Sequence, residues 1–285
     1  MNKRTVILGT GGQLGTALCN LFQQKNVDYI GYDLPEIDLN DPETYLNKII
    51  EFDPEVLVNC VAYTNVARAE IDRSKAMSTN AMALIDLIDL CNSHKIILYH
   101  ISTDYVFSGK SARPYIEDDP PDPINFYGLT KYMGEKLIRF YSDNFAIIRT
   151  AALYGKSISG TQNIVGKLIR AARENDTIKL VTDETTSPTF ANDLAKQIYL
   201  IINKELDGLI HATSEENCNW VEFGKYLFEL LKIDIEVEEV ESSFFNKTLR
   251  KPVYSVLENS VLKDHELNIM PDWKGALKNY LDKGI

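Results

Sequence analysis

Short apolar runs separated by amphipathic stretches set the rhythm of this chain. Val6-Ile7-Leu8 is a continuous apolar run closed by Gly9-Thr10-Gly11-Gly12-Gln13-Leu14-Gly15, after which Ala17, Leu18, Leu21 and Phe22 recur at helical spacing. The pattern predicts a strand, a glycine turn and a helix. Tyr29-Ile30-Gly31-Tyr32 ends at Asp33, Asp38-Leu39 follows, and Val56 to Ala62 reads as a third buried strand after a helix through Leu46, Ile49 and Ile50. A helix from Ala81 to Leu90, a fourth strand at Ile96 to Ile101, a helix carrying Tyr127 and a strand at Phe145 to Ile148 continue the alternation. Apolar strands with helices between them predict a parallel sheet covered on both faces, the doubly wound α/β (Rossmann) arrangement.

From Thr150 the rhythm changes. Tyr154 to Gly160 reads as a loop, Ile164 to Arg173 as a helix, Thr177 to Val181 as a short strand, and Asp193 to Ile202 as a helix able to return to the main sheet. Beyond Gly208 the elements are short and mixed: a helix near Trp220 to Leu231, an acidic alternating strand at Ile233 to Val240, and a terminal helix ending near Leu281. The expected organisation is a dinucleotide-binding domain, 1–150 plus 177–207, and a smaller, discontinuous α/β substrate domain, 151–176 plus 208–285. Repeats, low-complexity tracts and long linkers are absent from the sequence.

With 285 residues, 45% of them hydrophobic, the chain can bury a sizeable core. A net charge of -11 weighs against nucleic acid or a polybasic membrane surface as partner, since either needs clustered Lys and Arg. The apolar run after Met1-Asn2-Lys3-Arg4 is too short for a signal peptide, and nothing approaches the ~20 apolar residues of a membrane span, so the expected location is the cytoplasm. Cys19, Cys60, Cys91 and Cys218 form no CxxC pair and lie at no zinc-like spacing to histidine; reduced, buried thiols and no metal are expected. His100, inside an apolar strand, reads as a hydrogen-bonded core residue. Glu117-Asp118-Asp119 and Glu236 to Glu241 read as solvated faces, and Trp220 with Phe223 as core.

Candidate chemistry gathers at strand ends. Gly9-x-x-Gly12-x-x-Gly15, with Gln13 and Leu14 inside it, stands between the first strand and the first helix, where helix N-terminal amides can face a pyrophosphate. Asp33 ends the second strand; a carboxylate there bonds a ribose diol and repels a 2'-phosphate, which leans toward NADH over NADPH. Ser102-Thr103-Asp104 follows the fourth strand, where a hydroxyl can hold a substrate carbonyl or, equally, cap a turn. Tyr127 and Lys131 share a helix face, so the lysine can stabilise the phenolate of a tyrosine whose ordinary pKa near 10 makes it a reluctant acid. Tyr132 and Lys136 repeat the spacing, and it is Thr103 upstream that selects the first register. Asn80 reads either as a backbone-anchoring amide near the site or as a surface residue.

Taken in order, Gly9 to Gly15, Asp38-Leu39-Asn40, Val58 to Thr64, Ser102 to Phe107, Tyr127-Gly128-x-x-Lys131 with Gly134-Glu135, Arg149-Thr150, Ser187-Pro188-Thr189 and Arg250-x-Pro252-x-x-Ser255-x-Leu257 resemble the extended short-chain dehydrogenase/reductases and, within them, the dTDP-4-dehydrorhamnose reductase family. The resemblance implies hydride transfer from NADH or NADPH to C4 of a dTDP-4-keto-6-deoxy sugar, giving dTDP-L-rhamnose. It implies Thr103 as the catalytic hydroxyl, Tyr127 as general acid, and Lys131 as the lysine that binds the nicotinamide ribose and lowers the tyrosine pKa. Asp104 and Tyr105 then face the sugar, Asn163 and Arg250 lie toward the nucleotide sugar, and Ala62, Tyr63, Thr64, Asp38 and Leu39 line the cofactor.

Three departures from the family pattern stand out. Ala152 replaces a tryptophan that packs on the deoxysugar, the segment Val66 to Glu70 lacks an aspartate after the valine, and Ala17 stands where some members place a magnesium-binding glutamate. The implied assembly is a monomer or homodimer. The alternatives are a reductase of another 4-keto nucleotide sugar, or a non-catalytic nucleotide-binding regulatory subunit like that of methionine adenosyltransferase, which resembles the same family.

Overall fold

Strand β1 (Thr5–Leu8) is buried at every position, as is β3 (Val56–Asn59), which is why both read as unbroken apolar runs. The computed structural model describes residues 3–160, 163–245 and 248–282, so Met1 and Asn2 of the N-terminal stretch and the last three residues of the second expected domain lie outside the described residues. Between these strands come α1 (Gln13–Gln24), β2 (Tyr29–Tyr32) and α2 (Leu46–Phe52); after them come α3 (Leu84–His94), β4 (Ile97–Thr103), α4 (Phe126–Tyr141) and β5 (Phe145–Thr150). With β7 (Gly208–His211) beyond β5, these strands form a six-stranded sheet of order β7-β5-β4-β3-β1-β2, parallel throughout.

Alternate side chains supply the two faces. Ile7, Val58, Tyr99 and Ile148 pack against α1 and α6 (Ala191–Asn203), while Val6, Leu57, Leu98 and Ile147 pack against α2, α3 and α4. The chain leaves β1 for β2 on one side and returns to β3 on the other, so the loops after β1 and β3 diverge and open a crevice at their carboxyl ends. The expected third strand, Val56 to Ala62, ends earlier because the Asn59 side chain turns back to accept the Val61 N–H at 3.0 Å.

A second core contains Tyr154, Val165, Ile169, Leu180, Phe223, Trp273 and Leu277. It joins α5 (Ile164–Glu174), α7 (Trp220–Leu231) and α8 (Trp273–Asp282) to a small parallel sheet of β6 (Thr177–Val181) and β8 (Glu236–Val240). The span 177–207 is therefore divided: β6 pairs in the small sheet and α6 packs on α1, whereas β7, expected in the second domain, completes the main sheet beside β5. Short apolar strands look alike in sequence, and tertiary packing decides which sheet edge accepts each one.

One buried ion pair ties the main sheet to α4. Arg149 Nη2 lies 2.6 Å from Glu135 Oε2, both side chains are fully buried, Ser102 Oγ donates to the same carboxylate, and Arg149 Nη1 is 3.3 Å from His211 Nε2. Glu117 departs from the solvated face expected of it: it is buried and accepts the backbone N–H groups of His211 and Val261 at 3.0 and 3.1 Å.

Candidate active site

The glycine turn works as its spacing implies. A Cβ at Gly15 would overlap the Gly9 carbonyl, so only glycine lets α1 start this close to β1. Gly12 stands at the N-cap and gives no side-chain cap, which leaves the first amides of α1 free to face a bound anion. Gly12, Gln13, Leu14 and Gly15 line a cavity of about 580 Å³, with Gly9, Asp33, Ala62 and Thr64 around it. The Asp33 carboxylate accepts the N–H of Gly11 and, at 2.8 Å, that of Leu34, bracing the turn. Gln13 Oε1 and Thr150 Oγ1 on the cavity wall are buried with no partner among the described residues, polar atoms that a bound dinucleotide can satisfy.

The same cavity reaches the end of β4. Thr103 caps a turn there: its Oγ1 caps the single turn Asp104–Val106 by accepting the Tyr105 N–H at 3.2 Å, donates to Asp104 Oδ1 at 3.0 Å, and hydrogen-bonds the Tyr127 phenol. Helix α4 begins at Asn125, whose Oδ1 accepts the Gly128 N–H at 2.8 Å. At Gly128 a Cβ would run into the Tyr105 carbonyl, so glycine allows the helix to rest there and sets the Tyr127 ring edge-on to Tyr105, 5.9 Å between centroids.

Burial dominates the electrostatics of the site. Burial pushes the Tyr127 phenol up to about 12, the Thr103 hydrogen bond opposes this, and the nearby Asp104 carboxylate adds to it. Burial likewise raises Asp104 to about 6 against hydrogen bonds from Ser255 and Thr103. Lys131 is buried in the cavity wall and lowered to about 8 by burial, with Glu135 and then Cys60 acting the other way. Its Nζ donates to the Ile101 carbonyl at 2.7 Å and lies 2.9 Å from His100 Nε2. Lys136 is exposed, over the Tyr132 ring at 5.4 Å, so the register Tyr127/Lys131 is the one that enters the cavity.

Other expected residues lie elsewhere. Leu39 is a core residue, and Asp38 holds its own turn by accepting the Asn40 N–H at 2.9 Å. Tyr63 spends its backbone on Asn80, whose amide accepts the Tyr63 N–H at 2.7 Å and donates to the Tyr63 carbonyl at 3.1 Å, which makes Asn80 a buried anchor. Asn163 caps α5 and bonds the Gly155 carbonyl at 2.7 Å, and Arg250 is exposed, its carbonyl accepting from Asn125 at 3.1 Å.

Ser159, which sequence reasoning passed over, completes the walls through an N–H that reaches the Gly11 carbonyl at 3.0 Å, and Ala152, singled out in the sequence, lines them together with Ala151 and Leu153. A smaller adjoining cavity of about 80 Å³ is lined by Asp104, Tyr105, Ala152, Glu184, Trp220 and Ser255, among others. Trp220, expected in the core, is half-buried here, its indole N–H 3.3 Å from Glu184; only Phe223 of that pair is fully enclosed. Ala152 holds φ at +43°, in the left-handed region.

With this geometry in view, comparison with known proteins is specific. The family described as the RmlD substrate binding domain matches residues 3–285. The chain belongs to the dTDP-4-dehydrorhamnose reductase family. It is 33% identical to a dTDP-4-dehydrorhamnose reductase of Streptomyces griseus, over 96% of this chain and 91% of that one. It is 32% identical to a dTDP-4-keto-6-deoxy-D-glucose reductase of Streptomyces niveus, over 97% and 96%. A crystal structure of dTDP-4-dehydrorhamnose reductase from Bacillus anthracis in complex with NADP superposes with a TM-score of 0.94 at 31% identity, covering 99% of this chain and 100% of that one. The family's parallel sheet with flanking helices is the fold described above.

Proposed function

We propose that the protein reduces the 4-keto group of a nucleotide-activated 6-deoxy sugar, with dTDP-4-dehydro-L-rhamnose as the leading substrate and dTDP-L-rhamnose as product. The observation that carries this reading is one cavity shared by the glycine turn at one end and by Thr103, Tyr127 and Lys131 at the other. A bound NAD(P)H supplies the hydride to the carbonyl carbon. Thr103 and Tyr127 hold the carbonyl oxygen, and Tyr127 gives it a proton; burial keeps water from competing for both hydrogen bonds. Asp104 and Tyr105 meet the sugar, and the exposed Arg250, outside both cavity linings, is assigned to the nucleotide by the family resemblance alone. The protein works in the cytoplasm, as a monomer or homodimer. The test is a panel of 4-keto nucleotide sugars with the loss of NADH or NADPH absorbance as readout; no turnover on any of them overturns the reading.

NADH is the preferred cofactor, because the Asp33 carboxylate faces the cavity where a 2'-phosphate would sit. We expect a higher kcat/KM with NADH than with NADPH, and Asp33→Asn to move the ratio about tenfold toward NADPH, the effect of ~1.4 kcal/mol. A wild-type preference for NADPH overturns this.

A second sugar reading rests on Ala152, which stands where family members carry a tryptophan and opens onto the cavity holding Trp220. If the rhamnose precursor is the substrate, Ala152→Trp lowers KM by about three- to tenfold, the worth of one aromatic contact. An unchanged or raised KM assigns the wider pocket to a different 4-keto-6-deoxy sugar.

A further inference from the structure

The cavity of about 80 Å³ beside the active site is lined by a carboxylate whose partners leave it one acceptor position. Glu184 is buried; Lys251 Nζ donates to its Oε1 at 3.0 Å and to its Oε2 at 3.3 Å, and the Trp220 indole N–H donates to Oε2 at 3.3 Å. A carboxylate offers about four acceptor positions, so one remains. Thr186 lines the same cavity, and its Oγ1 is buried with no partner among the described residues. The Trp220 ring, also in the lining, is fixed by Glu184 at its N–H and by Phe223, edge-on at 5.7 Å between centroids. Ala152 adds only a methyl to the wall. At about 80 Å³, against the ~30 Å³ that a water occupies in the liquid, the cavity takes a substituent and not a sugar ring.

Asp104, Tyr105 and Ala152 line this cavity and the larger one alike. In the reductase reading above, Thr103 and Tyr127 hold the oxygen on C4, so a cavity that begins at Asp104 receives a substituent from the side of a carbon next to C4. The two such carbons differ: C3 bears a hydroxyl and C5 a methyl. A hydroxyl can donate to Glu184 and accept from Thr186, whereas a methyl leaves both without a partner. We propose that the small cavity is a subsite for the C3 hydroxyl, with Glu184 as its specificity-determining acceptor and Trp220 as the wall against the adjoining C–H face of the sugar. Lys251 balances the Glu184 charge from the solvent side, where its own side chain is 36% exposed. The substrate class that follows is a 4-keto-6-deoxy nucleotide sugar that retains its C3 hydroxyl, with 3-deoxy sugars rejected. This role rests on the reductase reading and holds for any candidate sugar that keeps this hydroxyl, dTDP-4-dehydro-L-rhamnose included.

The test compares kcat/KM for a 4-keto-6-deoxy nucleotide sugar and its 3-deoxy analogue. In the wild-type protein, loss of the hydroxyl is expected to cost about 10- to 100-fold, the worth of a hydrogen bond to a charged group. A cost below about threefold overturns the proposal while leaving the reductase reading intact. In Glu184→Leu the preference is expected to shrink to within about threefold, chiefly through slower use of the hydroxylated sugar, because the acceptor is gone and Lys251 turns to water. A purely structural role for Glu184 would slow both sugars alike, so a folded variant that keeps the wild-type preference also overturns the proposal. A second arm needs no turnover and stays readable if every sugar in the panel fails. The chain has two tryptophans, and Trp273 is buried in the second core, so a sugar in the small cavity should alter the emission of Trp220. With oxidised cofactor bound, dTDP-L-rhamnose is expected to change the fluorescence, dTDP alone to leave it unaltered, and Trp220→Phe to abolish the response. No response to dTDP-L-rhamnose, or an equal response to dTDP, overturns the placement of the sugar.

Discussion

The Tyr127→Phe variant is expected to bind NADH and NADPH as the wild-type protein does and to turn over roughly 10²–10⁴-fold more slowly, the usual worth of a positioned proton donor. The substitution keeps the ring that lies edge-on to Tyr105 and removes the hydroxyl that bonds Thr103. The cofactor dissociation constant should therefore change by less than about threefold, under ~1 kcal/mol. Burial raises the phenol pKa to about 12, so at neutral pH the free protein keeps the hydroxyl proton that a donor needs. Steady-state kinetics with the best sugar of the panel, beside cofactor titration by fluorescence, separate the two effects. A kcat within a few-fold of wild type removes Tyr127 from the proton-donor role and points to another hydroxyl.

The largest effect on stability is expected at Arg149→Met. Glu135 then stays fully buried with its partner cation gone, and removing one half of a buried pair costs about 3–5 kcal/mol. His211 loses its contact with the guanidinium as well, and Phe107 loses the cation 5.0 Å above its ring. Urea unfolding at neutral pH measures the loss as a lower midpoint at unchanged slope. The paired change Arg149→Met with Glu135→Leu should recover most of it, since two apolar groups leave no charge unpaired. A single-variant loss below ~1 kcal/mol would mean that the carboxyl takes up a proton and is held neutral by Ser102 at little cost. The pair also fixes where α4 lies on β4 and β5, so the single variant should lose activity beyond its loss of folded protein.

What the sequence by itself determined was local. The turn after β1, the strand-end position of Thr103 and the i, i+4 spacing of Tyr127 and Lys131 lie within a few residues of their neighbours, and backbone geometry converts such spacings into place. The parallel sheet was legible for the same reason, since fully buried strands leave unbroken apolar runs. What only the tertiary structure decided depends on partners far apart in the chain. Glu117 is buried because His211 and Val261 bring it backbone N–H groups, and β7 belongs to the main sheet because β5 offers it an edge. Trp220 packs on the edge of the second core rather than inside it, because the chain folds its indole beside Ala152 and Glu184. His100 reads from its apolar neighbours as a buried histidine, and so it is. That its two nitrogens meet Asn59 and Lys131, 41 and 31 residues away, is fixed only when β3, β4 and α4 pack, because hydrogen-bond partners are set by distance in space and not along the chain.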